Sequence, residues 1–282
     1  MNKVWTIIDI LNWGEVYLKS KGIEEPKINL ELFLCHILNL NRLQLYLNFD
    51  KPLNEEELII LKSFIKRRLN LEPPQYIIGY TYFLNKKIFV DKNVLIPRPE
   101  TELIIDLVKN KYNENEDLRI LDIGTGSGCI SIAIADIFKK SKIDAIDYKD
   151  EILEIAKKNA EKNKIENIEF IKLNILNELP NKQYDLIISN PPYLSKYEYE
   201  VTQPIVKLFE PKSSLYGGIE GLDFYYRFSE IFKIILKQNG IFILEYGYEQ
   251  KEKINKIFKN YKNIEFIKDF NGIYRFIIGM NN

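Results

Sequence analysis

The chain has 282 residues, 46% of them hydrophobic and 28% charged, which suits a soluble globular protein of two domains. Forty basic residues balance forty acidic ones, so phosphate neutralisation on the scale of a nucleic-acid binder is not advertised, and no window approaches a membrane span. Two cysteines, Cys35 and Cys129, exclude a disulfide framework and a four-ligand zinc site; with no secretory leader legible, the expected compartment is a reducing cytoplasm.

Residues 1–72 carry helical spacing. Ile7, Ile10, Leu11 and Trp13, then Leu30, Phe33, Leu34 and Ile37, then Leu58, Leu61, Phe64 and Ile65 recur at intervals of three and four. Pro26 and Pro52 separate the runs, and Asn54 followed by three glutamates reads as a capped helix start. The only histidine, His36, lies in this apolar pattern and reads as a half-buried core residue. The expectation is a small helical bundle. Residues 73–96 begin at Pro73-Pro74 and continue as "QYIIGYTYFLNKKIFVDKNVLI", whose aromatic and β-branched residues predict a connector with a β-hairpin.

Residues 97–282 form the third expected segment. From Leu118 short apolar strands alternate with amphipathic helices: "LRILDI", a helix from Cys129, "KIDAID", a helix over 149–163, "IEFIKL" and "YDLIIS". A helix over 222–238, "GIFILEY", another helix, "IEFIKD" and "YRFIIGM" complete the series. Such alternation predicts an α/β fold, a mostly parallel sheet with helices on both faces.

Two loops in this region carry chemistry. In "LDIGTGSGC" the residues Gly124, Thr125, Gly126, Ser127 and Gly128 join the first strand to a helix N-terminus, where bare backbone N–H groups meet a ligand. About one strand later Asp147 is placed to accept bonds from ribose hydroxyls. The spacing is GxGxG rather than the dinucleotide GxGxxG, which favours a nucleoside with a small charged tail, such as S-adenosylmethionine, over a pyrophosphate cofactor; a dehydrogenase remains the competing enzyme at this point. Asp122 is placed to face the positive tail. A tight strand-to-helix connection is the plain structural alternative.

The second loop is "SNPPY". Asn190 and the carbonyl of Pro191 are acceptors, and Pro191 and Pro192 remove two N–H donors and stiffen the turn. Paired acceptors suit a planar –NH₂, with Tyr193 against its flat face, and hydrogen bonds to both N–H groups would favour the pyramidal nitrogen of a methyl-transfer transition state. No strong general base is required, which agrees with the shortage of histidine. Asn-Pro-Pro as a mere turn starter is the structural alternative.

Together "LIPRPETE", "LDIGTGSG" and "SNPPY" resemble the PrmC/HemK methyltransferases, and the resemblance extends over nearly the whole chain. It implies a class I S-adenosylmethionine-dependent methyltransferase fold, with a seven-stranded, mostly parallel sheet whose last strand is reversed, behind an N-terminal helical bundle that binds substrate. It implies transfer of a methyl group to the side-chain amide nitrogen of the glutamine in the GGQ loop of peptide chain release factors, leaving S-adenosylhomocysteine. Residues 124–128, Asp147, Asn174, Ile175 and Asn190 are implied for the cofactor; Asn190 and Pro191 for catalysis; Asn190, Pro191, Pro192 and Tyr193 for the glutamine. The family commonly places an acid and an aromatic where this chain has Asn174 and Ile175, so ring stacking on the adenine is not expected from that pair. Pro97, Pro99, Glu100 and Glu102 suit a rigid helix start, Glu210 lies in a family-like "FEP" segment, and Arg227 reads as a solvated helix residue. A monomer without metal, membrane contact or direct nucleic-acid contact is expected. The rival substrates of the same acceptor geometry are the adenine N6 amine of DNA or RNA and a glutamine of a ribosomal protein.

Overall fold

The structure is a computed structural model that describes residues 4–282; residues 1–3 of the expected bundle lie outside the described residues. It divides into two compact units, one running to Gly79 together with Pro204–Phe209, the other comprising Tyr80–Gln203 and Glu210–Asn282.

The first unit contains α1 (Ile7–Ser20), α2 (Pro26–Leu38), α3 (Arg42–Leu47), α4 (Glu55–Leu69) and α5 (Pro74–Ile78). Capping boxes start three of them, Thr6 with Asp9, Asn41 with Gln44 and Asn54 with Glu57, each satisfying two orphan backbone donors. Ile7, Ile10, Leu11, Leu30, Phe33, Leu34, Leu61 and Ile65 are buried, as their spacing predicts. Trp13 is not: it is 45% exposed at the margin of the α1 stripe, edge-on to Trp5 and stacked on Tyr17. His36 is half-buried with its ring 5.7 Å from Phe64.

The second correction falls on "PQYII", which the β-branched composition assigned to the strand pair. Pro74 opens a single helical stretch there and Gly79, at φ +81°, closes it by donating to the Gln75 carbonyl. Tyr76, Ile77 and Ile78 are all buried, so their packing overrides the propensity of the run.

In the second unit β1 (Tyr80–Phe83) and β2 (Lys86–Phe89) form the expected hairpin. A 3₁₀ turn, Pro99–Glu102, leads into α6 (Leu103–Lys111). Then follow β3 (Arg119–Ile123), α7 (Cys129–Ile137), β4 (Lys142–Asp147), α8 (Asp150–Lys162), β5 (Ile168–Lys172) and β6 (Tyr184–Ser189). After α9 (Lys196–Val201), and past α10 (Pro204–Phe209), which belongs to the first unit, come α11 (Asp223–Ile235), β7 (Leu236–Glu245), α12 (Lys251–Ile257), β8 (Lys262–Lys268) and β9 (Tyr274–Met280). Residues 236–238, read from sequence as the end of a helix, already belong to β7.

The seven strands lie in the order β5-β4-β3-β6-β7-β9-β8, parallel except that β9 runs antiparallel to both neighbours. The chain winds outward from β3 to β5, returns, and winds the other way from β6. The carboxyl ends of β3 and β6 therefore flank the point where strand order reverses, the place where open α/β sheets bind ligands. Register makes the pairing tight: Ile123 stands opposite Ser189, and Ser189 opposite Leu244. Gly124, Asn190 and Glu245 are the next residues out on three adjacent strands.

Candidate active site

The glycine turn leaves β3 with Gly124, Gly126 and Gly128 at φ +71°, +55° and +80°, a region that strains any residue with a Cβ. The glycines differ in use. Gly124 and Gly126 line a cavity of about 410 Å³ at the switch point, within the size range of small-molecule sites. Gly128 does not: a Cβ there would stand 3.2 Å from the Ala156 Cβ, so its bareness lets α8 pack against the turn. Thr125 and Ser127 are buried beneath the turn and do not line the cavity either. Asn159, fully buried on α8, donates to the Ser127 carbonyl (2.9 Å) and exchanges bonds with the backbone of Phe89, tying the turn to β2.

Asp122 underlies this turn. Its Oδ2 accepts from the hydroxyls of Thr125 (2.7 Å) and Ser131 (2.5 Å), while its Oδ1 is buried without a partner. Burial pushes its carboxyl up to about 6 against the pull of those two donors. Asp147 ends β4 and lines the cavity; its carboxylate accepts from the Gly126 N–H (3.0 Å) and the Tyr148 N–H (2.8 Å), and burial raises its pKa. Asn174 and Ile175 line it too. The Asn174 Oδ1 accepts from the Leu176 N–H (3.2 Å), which shapes the loop and occupies part of its acceptor capacity. Aromatic surface missing from position 175 is present in the same cavity as Tyr148 and Phe224. Arg227, read from sequence as solvated, donates to the carbonyls of Ile175 (2.9 Å) and Glu178 (3.3 Å), so α11 holds this loop in place.

At the end of β6, Asn190, Pro191 and Pro192 line the cavity, whereas Tyr193 does not. The Tyr193 ring packs against the core, and burial pushes its phenol up. The turn is held on several sides. Leu194 N–H donates to Leu215 (2.8 Å), Gly217 N–H to Leu194 (2.9 Å), and Gln250 Nε2 to the Tyr193 carbonyl (2.8 Å). A Cβ on Gly217 would collide with the Pro192 carbonyl, and one on Gly218, at φ +101°, with the Asp223 carboxylate. Asn190 Nδ2 donates to Thr101 Oγ1 (3.1 Å), and Thr101 donates to Glu245 Oε2 (2.8 Å). Thr101, Glu245, Asn159 and Gln250 escaped the sequence reading; only Thr101 carried a signal, as the centre of "PETE". Glu210 is buried, paired with Arg98 (2.5 Å) and contacted by the Ile96 N–H (3.4 Å), so it anchors the "IPRP" segment. Glu102 accepts from Leu84 N–H at the hairpin tip (2.9 Å).

With this geometry in view, likeness to known proteins becomes specific. Residues 9–79 match the PrmC N-terminal domain and residues 114–275 a methyltransferase domain. A release factor glutamine methyltransferase of Fusobacterium nucleatum is 36% identical over 96% of this chain and 78% of its own length. One of Bacillus subtilis is 35% identical over 98% of both. The chain belongs to the release factor glutamine methyltransferase family. Among solved structures, a methyltransferase from Pyrococcus furiosus superimposes with a TM-score of 0.53 at 20% identity, over 71% of this chain and 90% of that one, which speaks for the shared methyltransferase fold. Enzymes of this family depend on S-adenosylmethionine, and the residues here fit it. The glycine turn brings bare backbone to the cavity at Gly124 and Gly126, Asp147 lines it with a carboxylate for hydroxyls, and behind the lining the Asp122 oxygen without a partner suits a donor of the kind an ammonium supplies.

Proposed function

We propose that this protein methylates the side-chain amide nitrogen of the GGQ glutamine in peptide chain release factors, with Asn190 and Pro191 as the residues that act on the acceptor. The observation that carries the reading is the juxtaposition of two loops: the glycine turn and the Asn190–Pro192 turn leave register-paired strands and line one cavity. When bound, S-adenosylmethionine supplies an electrophilic methyl carbon on a sulfonium. Gly124, Gly126 and Asp147 would hold its nucleoside, Asn174, Ile175, Tyr148 and Phe224 its base, and Asp122 would oppose the positive charge of its tail. Thr125, Ser127 and Gly128 serve by shaping the turn, and Tyr193 by filling the core behind the acceptor turn rather than by lying on the amide.

An amide nitrogen is a poor nucleophile because its lone pair is delocalised. Asn190 Oδ1 and the Pro191 carbonyl accept its two N–H bonds and favour the pyramidal, electron-rich nitrogen of the transition state. Orientation in a stiff turn supplies much of the rest, since well-placed reactants gain about 7–11 kcal/mol. Once methylated, the acceptor nitrogen would release its surplus proton to water, so no residue of the chain need act as a base. The helical unit, which holds none of the cavity-lining residues, grips the protein substrate.

Mass spectrometry of a release factor incubated with this protein and cofactor is expected to map one methyl to the GGQ glutamine. Asn190→Ala is expected to lower turnover about 100- to 1,000-fold, the usual loss for one preorganised polar contact to a transition state, with cofactor affinity little changed. Label found only in duplex DNA, or wild-type turnover in that variant, would overturn the proposal.

A further inference from the structure

We infer that Thr101 and Glu245 are positioning residues that decide which end of the Asn190 amide faces the methyl acceptor. This rests on the reading of Asn190 given above and extends it to residues that touch neither substrate nor cofactor. A carboxamide is almost symmetric in shape, and a rotation of about 180° about its last bond exchanges an acceptor for two donors. A flipped Asn190 would present N–H groups to the N–H groups of the incoming amide and repel it. Shape alone does not choose between the two orientations, so the partner of the other end must.

That partner is the Thr101 hydroxyl, 3.1 Å from Asn190 Nδ2. A hydroxyl by itself is indifferent, because it both donates and accepts. Glu245 removes the ambiguity. Its Oε2 lies 2.8 Å from Thr101 Oγ1, and an ionised carboxylate only accepts, so it claims the single hydroxyl hydrogen. Thr101 is then left with lone pairs toward Asn190, Nδ2 is drawn to them, and Oδ1 is turned outward. Thr101 and Glu245 are each only 2% exposed, so water offers no competing partner. The chain of bonds has one polarity, built from the ends of β6 and β7 and the 3₁₀ turn before α6.

The polarity depends on the charge of Glu245. Around that carboxyl stand Arg275 from β9, Arg98 and Glu100 from the segment before α6, and Tyr193 from the turn after β6. Tyr225 of α11 donates to the Glu245 backbone carbonyl (2.8 Å). Burial outweighs the two arginines and pushes Glu245 up to about 7. Protonated, it becomes a donor to Thr101, whose own hydrogen is freed to support the flipped amide. Turnover should accordingly fall as pH drops through about 7 and level off above it.

The test is steady-state methylation of a release factor by wild type, Thr101→Val, Thr101→Ser and Glu245→Gln between about pH 5.5 and 9, with cofactor affinity measured by calorimetry. Thr101→Val is expected to lose about 10- to 100-fold in kcat, as loss of a supporting hydrogen bond commonly does, with cofactor affinity unchanged and Thr101→Ser restoring most of the rate. Glu245→Gln is expected to lose the limb near pH 7. A Thr101→Val enzyme as fast as wild type overturns the inference; if that variant does not fold, persistence of the limb in Glu245→Gln does so. A wild type that methylates no release factor sinks the functional reading itself, which separates the two failures.

Discussion

Asp122 is a carboxylate buried where its charge has no counter-ion, one oxygen holding two hydroxyls and the other holding nothing. Burial lifts its pKa from 3.8 to about 6, so the folded chain binds that proton more tightly than the unfolded chain does. The contribution therefore favours folding fully below about pH 4 and is lost as pH rises through about 6. A shift of two units corresponds to about 3 kcal/mol at most. Asp122→Asn keeps the shape and cannot ionise. Without cofactor it is expected to melt above wild type at about pH 8, the gap closing toward about pH 4. If Asp122 opposes the positive charge of the cofactor tail, as proposed, the order should reverse with S-adenosylmethionine, and calorimetric affinity should drop about tenfold or more. Scanning calorimetry with and without cofactor checks both signs; a variant that melts below wild type at the higher pH would show that Asp122 is no desolvation burden.

At the scale of elements, the loop after β5 and the helix that braces it are a unit. Arg227 reaches from α11 to two carbonyls of that loop, and Ile175, one of the residues it holds, lines the cavity. Arg227→Ala is expected to weaken cofactor affinity about tenfold through the loss of two charge-assisted bonds, leaving kcat at saturating cofactor within about twofold. An unchanged Kd would mean the loop holds its shape alone. The same residue marks the limit of what could be read beforehand. Gly124, Gly126, Asp147 and Asn190–Pro192 were legible because each is constrained by its own chain neighbours: a positive φ, a strand end, two imino acids. Arg227, Thr101, Asn159 and Gln250 act through partners far along the chain, Thr101 on Glu245 144 residues away, and no local pattern distinguishes them from solvated polar residues. Alternating strands and helices made the sheet readable, while "PQYII" misled because burial on every side, not β-propensity, decided its conformation.

At the scale of the whole molecule, the cavity and the exposed helical faces fall in different units. Every residue lining the cavity belongs to the second unit. What the helical unit offers is surface. On α1, Trp13 and Val16 lie three residues apart and are 45% and 71% exposed, an apolar pair on one helix face with Tyr17 stacked against the indole. If this unit grips the protein substrate, such a surface acts on encounter and binding and not on the bond being made, and kinetics separate the two. Val16→Glu removes no buried contact, so stability should shift by less than about 0.5 kcal/mol. KM for an intact release factor should rise about tenfold at unchanged kcat, the signature of lost uniform binding. A short GGQ peptide, which offers no surface for this helical face to hold, should be methylated equally by both proteins. An unchanged KM for the intact factor would refute the gripping role of this face, and a fall in kcat on the peptide would show that the helices reach the chemistry after all.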